Sequence, residues 1–302
     1  MTQISRRRFL AITAACVAMP TGAAPLHHWR GTALGAAASI RLAHPDAPAI
    51  VARARAEISR LEDIFSLYRP ASALVQLNAE ARLDAPPFEL LSCLALAGRV
   101  HQATGGLFDP SVQPLWAAYA QAHAAGVAPD EARIAAALDR TGWARVRFDS
   151  ASVRLDPGMA LTLNGTAQGF VADRVADLLR AEGLTNILID TGELRALGTQ
   201  PGGAPWPVSI DQGGALTLQD RALATSSPLG TVFDAGGRVG HILHPQTGRP
   251  AAPVWRGVSV TAPSAALADA LSTAACLMPQ RADIDRALAA FPATRLEAAL
   301  AA

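Results

Sequence analysis

The stretch LTLNGTAQGFVADRVADLLRAEGLTNILI, residues 161–189, opens on a short β-like run, Leu161-Thr162-Leu163, and turns through Gly165 and Gly169. From about Gly169 to Glu182, Val171, Val175, Leu178 and Leu179 recur at helical spacing, and Gly183 stops the run. Ile187-Leu188-Ile189 then reads as a buried strand. A strand, a glycine turn, a helix and a second strand make a unit in which one helix packs on a sheet. The glycines serve either the geometry of a tight turn or the close approach of backbone amides and carbonyls to a ligand.

Upstream, Ser39 to His44 alternates like a strand, and Ile50, Ala54, Ile58, Leu61 and Phe65 predict an amphipathic helix over 48–65. A second helix is expected from about Phe88 to Gln102, ending before Thr104-Gly105-Gly106, and a short alanine-rich third from Pro129 to Asp139. Val146-Arg147-Phe148 and Val153-Arg154-Leu155 read as a hairpin. Downstream, short strands are expected near Val208–Ile210, Ala222–Ala224, Val239–Leu243 and Val258–Thr261, with a helix from about Ala265 to Leu277. Strands dominate the middle, helices stand at intervals and no repeat period is present. The fold class is therefore α+β with mixed or antiparallel sheets, not a doubly wound parallel sheet.

Ser5-Arg6-Arg7-Arg8-Phe9-Leu10 sets paired arginines ahead of an apolar, alanine-rich run that reaches Met19. This reads as a twin-arginine export signal over residues 1–24, and it implies a periplasmic protein. The run is shorter than the roughly 20 residues that span a bilayer, so no stable membrane span is expected after signal removal. Thr13-Ala14-Ala15 ahead of Cys16 lacks the leucine-like residue of a lipid-anchor site. Residues 25–302 suit one large domain, or two intimately joined lobes. The formal net charge of +1, with both signs interspersed, gives no footprint for nucleic acid or an anionic membrane. Cys93 and Cys276 each fall in an apolar helical pattern, where a cysteine is a small core residue, and a disulfide between them stays open.

The usual nucleotide and nucleophile signatures, G-x-G-x-x-G, G-x-x-x-x-G-K-[ST], G-x-S-x-G and H-E-x-x-H, are absent. Any phosphate must be held another way. In Ala268-Asp269-Ala270-Leu271-Ser272-Thr273, Asp269 and Thr273 stand four apart and share one helix face. Taken alone they fit a helix cap and a surface hydroxyl as well as a metal site. As ligands, a carboxylate and a hydroxyl are hard donors that favour magnesium. His241 and His244, three apart in an extended segment, face opposite sides and do not form a joint metal pair. Asp109, after Gly105-Gly106-Leu107-Phe108 and before Pro110, reads by itself as a turn former.

The order of these blocks resembles the ApbE family of FAD:protein FMN transferases across essentially the whole length after the signal. The matching blocks run Phe65-Ser66-Leu67-Tyr68 with Leu77-Asn78, Gly105 to Pro110, Gly165 to Asp173, and Asp190-Thr191-Gly192-Glu193. They continue with Ala224-Thr225-Ser226, His241-Ile242 through Pro245 and Thr247-Gly248, and Ala268 to Thr273. The phrase around Asn164-Gly165 and Ala167-Gln168-Gly169 looks most like the NosX-type branch, associated with flavinylating the membrane partner of nitrous oxide reductase.

The resemblance implies an ApbE-like, T-fold-related domain that transfers FMN from FAD to a threonine or serine hydroxyl of an acceptor flavoprotein and releases AMP. It implies magnesium held by Asp269, Thr273 and a backbone carbonyl near Gly165. Tyr68, Leu107, Phe108, Asp109 and Leu243 match positions lining the FAD site, and His241 matches the histidine near the diphosphate. His241 or Asp109 would deprotonate the acceptor hydroxyl. Thr162 stands where many members carry an aspartate contacting FAD, Gln168 where they carry lysine or glutamate, and His244 where an aspartate precedes the proline. Those departures leave two other activities open: an FAD carrier without transfer, and a magnesium-dependent FAD pyrophosphatase. If the arginine pair is the export signal, replacing Arg6 and Arg7 with lysine is expected to hold the precursor in the cytoplasm. Undiminished protein in a periplasmic extract would contradict the assignment.

Overall fold

The computed structural model describes residues 25–210 and 214–302. The expected export signal, with Arg6, Arg7 and Cys16, lies outside the described residues. The chain enters through an antiparallel hairpin, β1 (Leu26–Ala33) and β2 (Ala36–Ala43). Helices α1 (Ala47–Phe65) and α2 (Ala73–Glu80), strand β3 (Arg82–Asp84) and helix α3 (Phe88–Ala103) follow. A 3-10 turn at Pro110–Val112 leads into α4 (Gln113–Ala124) and α5 (Glu131–Leu138), then β4 (Arg147–Phe148) and β5 (Ser152–Arg154). Next come α6 (Ala167–Ala181), β6 (Ile187–Asp190), β7 (Leu194–Leu197), β8 (Trp206–Ile210), β9 (Gly214–Leu218) and β10 (Ala222–Ser226). After a long loop the chain closes with β11 (Trp255–Ala262), α7 (Ala265–Ala275), α8 (Arg281–Ala289) and β12 (Arg295–Ala301).

Seven strands form one sheet in the order β1-β2-β6-β7-β10-β11-β12, and every neighbouring pair is antiparallel. β3, β5 and β4 make a small antiparallel sheet, and β8 with β9 a hairpin. The unbroken apolar run of β6 follows from cover on both faces. Ile187 and Ile189 share a core with Leu61 of α1 and Val171 and Val175 of α6, whereas Leu188 joins Trp206, Val208 and Leu223 in a second cluster. Helices thus cover one face and the β8–β9 hairpin the other. The α6 stripe ends at Gly183, whose positive φ lets Leu184 N–H reach the Leu179 carbonyl and closes the last turn.

Two expected strands are absent. The backbone of Leu161 is held at both ends by one side chain, with its N–H donating to Asn78 Oδ1 at 2.7 Å and its carbonyl accepting from Asn78 Nδ2 at 2.8 Å. Thr162 N–H donates to the Pro110 carbonyl, so the 161–163 segment has no use for a partner strand. The Val239–Leu243 segment makes only isolated bridges, Val232 with Gly240 and Leu243 with Pro250, because its hydrogen bonds go to the loop on either side. Cys93 and Cys276 are both free and buried, and burial pushes each thiol up to about 12. Among the described residues no helix is long and apolar enough to cross a membrane.

The contact that positions the site is α6 against α7. A Cβ on Gly169 would stand 2.3 Å from the carbonyl carbon and oxygen of Ala265 and 2.6 Å from the Ala266 nitrogen. The other party is backbone, so nothing can rotate aside. Gly169→Ala is expected to lower stability by about 1–3 kcal/mol or more in urea unfolding. A variant as stable as the parent would show that the two helices separate freely.

Candidate functional site

A cavity of about 320 Å³ opens beside the α6–α7 contact. Part of its polar lining is carried by α7. The Ser264 hydroxyl caps that helix by accepting from Leu267 N–H at 3.3 Å. Asp173 of α6 accepts from the Ala265 and Ala266 amides at 2.8 and 2.9 Å, and its carboxylate lies 3.3 Å from Nε of the buried Arg195. Burial outweighs those partners and pushes the Asp173 carboxyl up to about 6. With its start fixed in this way, α7 brings Asp269 and Thr273 to the cavity one turn apart.

Asp269 is 3% exposed and accepts a 3.4 Å hydrogen bond at Oδ2 from Gly169 N–H. Burial holds its carboxyl well above the ordinary carboxylate range, with the Gly169 amide opposing and the Asp173 charge adding to the shift. Thr273 Oγ1 lies 3.2 Å from the Ser226 hydroxyl. A Cβ on Gly165 would meet the Thr273 side chain at 3.1 Å, so the Gly165 backbone sits directly against it. Gly165, Asp269 and Thr273 therefore converge on one cavity. Carboxylate, hydroxyl and peptide carbonyl are hard oxygen donors, and the cavity lining includes no arginine to balance Asp269. That combination fits a divalent cation of the magnesium class. Among the described residues no group of three or more His, Cys, Asp or Glu forms a metal cage. A cation here would take its remaining oxygens from a ligand or water.

The apolar part of the lining comes from Leu107 and Phe108, from Val112 and Trp116, and from Ile242 and Leu243. Gly105 and Gly106, both at positive φ, turn the chain out of α3, and Thr104 Oγ1 accepts from Phe108 N–H at 3.1 Å to fix the aromatic ring's backbone. Thr162 and Gln168 also line the cavity. Tyr68 does not. It stands 75% exposed after α1, outside the lining. His244 is likewise outside it, its Nδ1 accepting from Gln246 N–H at 3.2 Å.

Two residues were left as rival proton acceptors by the sequence, and their surroundings separate them. Asp109 Oδ1 accepts from the Ser111 amide at 2.8 Å and from the Ser111 hydroxyl at 2.6 Å, while Oδ2 accepts from Trp143 N–H at 3.1 Å. Its carboxylate is spent on capping the 3-10 turn and tying it to residue 143. His241 Nδ1 lies 3.0 Å from the Thr231 carbonyl. A carbonyl only accepts, so Nδ1 carries the proton and Nε2 is left with a free lone pair. Burial lowers the imidazole pKa, against the opposing Thr231 hydrogen bond, so the ring is neutral at neutral pH. Of the two, His241 is the one with an acceptor atom not already committed. A second buried acid, Glu193, also lines the cavity. Sequence reading placed it in a block without giving it a role, since nothing local reveals that β7 folds it towards α7.

Asp173→Ala would strand two helix amides and a buried guanidinium. It is expected to cost about 3–5 kcal/mol, read as a fall in melting temperature. A melt within a degree or so of the parent would contradict the anchoring role.

Comparisons with known proteins place the chain in a family. A model of the ApbE family matches residues 34–297. An FAD:protein FMN transferase of Klebsiella pneumoniae is 30% identical over 214 residues, 67% of this chain and 67% of its own. One from Vibrio cholerae is 29% identical over 273 residues, 83% of this chain and 81% of its own. Among solved structures, the ApbE protein of Thermotoga maritima superposes with a TM-score of 0.79 at 26% identity, covering 90% of this chain and 94% of that one. The flavin transferase ApbE of Vibrio cholerae superposes with a TM-score of 0.75 at 26% identity, covering 88% and 90%.

Proposed function

The chain belongs to the ApbE family, and on that premise we propose that it transfers FMN from FAD to a threonine or serine hydroxyl of an acceptor flavoprotein, releasing AMP. The observation that carries the reading is the shared cavity, whose lining joins Asp269, Thr273 and the Gly165 backbone to an apolar wall and to His241. A flavin needs apolar and aromatic walls, and Leu107, Phe108 and Leu243 supply them. Its diphosphate needs hydroxyl and amide donors together with a cation. Asp269, Thr273 and the backbone at Gly165 would hold magnesium, which neutralises charge on the diphosphate and on the departing phosphate.

The protein's own part in the reaction is positioning and proton transfer. His241, with Nδ1 pinned to Thr231, presents Nε2 to take the proton of the acceptor hydroxyl. The hydroxyl oxygen forms a bond to the phosphorus on the FMN side, the phosphoanhydride bond breaks, and AMP leaves with that electron pair. Asp109 holds the 108–112 wall in place through Ser111 and Trp143. The arginine pair at the N-terminus supports a periplasmic site of action. The likeness of the 164–169 turn to the NosX-type branch supports the membrane partner of nitrous oxide reductase as acceptor.

Two measurements test this. Asp269→Ala removes the charged ligand and little apolar packing, so transfer is expected to fall about a hundredfold or more while FAD affinity falls much less. Transfer at the parent rate in a stable variant would remove the metal assignment. With Mg²⁺ saturating, so that Asp269 stays ionised, the rate of the parent enzyme should fall as pH drops through the lowered His241 pKa, below its ordinary 6.5. His241→Gln should lose about a hundredfold in rate together with that acid limb. An unchanged limb in the variant would exclude His241 as the base.

A further inference from the structure

We infer that Glu193 is a second carboxylate of the cation site, acting with Asp269 as the charge partner of the bound ion. The inference rests on the magnesium-dependent reading above and extends it to a residue that reading does not use. Glu193 closes the turn between β6 and β7, and that turn is tied down on two sides. Towards α6, Thr191 Oγ1 donates to the Gln168 carbonyl at 2.7 Å. Gly192, at a φ of +102°, lies so close beneath the Gln168 side chain that a Cβ would stand 3.0 Å from it. The next residue, Gly169, donates its amide to Asp269. Towards β10, Thr225 N–H donates to Glu193 Oε2 at 3.3 Å, and the adjoining Ser226 hydroxyl lies 3.2 Å from Thr273 Oγ1. Glu193 thus bonds to the neighbour of Ser226, which contacts Thr273, and its own turn bonds to the neighbour of Gly169, which contacts Asp269.

Its surroundings leave its charge unbalanced. Glu193 is 7% exposed, lines the same cavity as Asp269, and among the described residues its carboxylate takes only the single hydrogen bond from Thr225. No arginine lines that cavity, and the chain contains no lysine. Two carboxylates buried within reach of each other and without a cationic side chain are costly unless a cation joins them. Burial and the nearby Asp269 charge also lift the Glu193 carboxyl far above its usual range. The feature is not a surface cluster of acids: both groups are more than nine-tenths buried, and both line the cavity.

The test is Mg²⁺ binding, followed by calorimetry on FAD-loaded protein, with melting of the metal-free protein alongside. Four proteins are compared: the parent, Glu193→Gln, Glu193→Asp and Asp269→Asn. Glutamine keeps the length and the acceptor for Thr225, whereas aspartate keeps the charge. If Glu193 balances the ion, Glu193→Gln should weaken Mg²⁺ at least tenfold and Glu193→Asp less. The metal-free glutamine variant should melt higher than the parent because one of two repelling carboxylates is gone. If Glu193 only shapes the turn, the order reverses, with glutamine close to the parent and aspartate worse, and the inference is overturned. Asp269→Asn separates the levels: loss of Mg²⁺ there with an unaffected Glu193→Gln overturns this inference alone, and a parent that binds no Mg²⁺ overturns both it and the metal reading beneath it.

Discussion

The Ala265 and Ala266 amides end on the carboxylate of Asp173, and the rest of the site depends on that junction. Two free N–H groups at a helix start must find acceptors, and here both find one carboxylate projecting from the neighbouring helix. The junction fixes the height of α7 along α6, and Gly169 fixes the distance, because only a residue without a side chain lets the Ala265 carbonyl come so near. Height and distance together decide where Asp269 and Thr273 emerge. Arg195 under the same carboxylate extends the anchor into the sheet. Asp269 and Thr273 are therefore placed by a chain of contacts running from β7 through α6 to α7.

Much of this was legible in the sequence where one face of an element is apolar. α1, α3 and α6 showed themselves by period, because each buries an apolar stripe. α4 did not, since Pro114 and a run of alanines blur its faces. β7 and β12 carry arginine and alanine where alternation would be sought, and Arg195 is buried only because Asp173 meets it. The 161–163 segment failed in the other sense. Its residues alternate like a strand, yet the distant Asn78 takes its hydrogen bonds. Of the site, the shared helix face of Asp269 and Thr273 was readable from their spacing. The tautomer of His241, the committed carboxylate of Asp109 and the placement of Glu193 were not, because each depends on a partner that only the folded chain supplies.

The electrostatics divide the buried acids into two kinds. Asp109 and Asp173 are spent on backbone amides and serve architecture. Asp269 and Glu193 each hold a single long hydrogen bond and line a cavity with no arginine. A folded protein keeps groups of the second kind at a cost in stability, and such sites are where function concentrates. Thr162 and Gln168, both neutral, line the same cavity and add no charge to it. The burden of balancing the carboxylates therefore falls on what the cavity binds.

Transfer, carriage and hydrolysis of FAD all begin from the same bound flavin and differ in what becomes of the FMN phosphorus. The most direct measurement is the intact mass of an acceptor domain carrying a threonine or serine flavinylation site, after incubation with FAD, Mg²⁺ and this protein. The expected result is an acceptor heavier by one FMN less one water, stable to denaturation, with AMP formed in equal amount. An unmodified acceptor with free FMN and AMP, or with FAD untouched, would contradict the assignment of this chain as a flavin transferase.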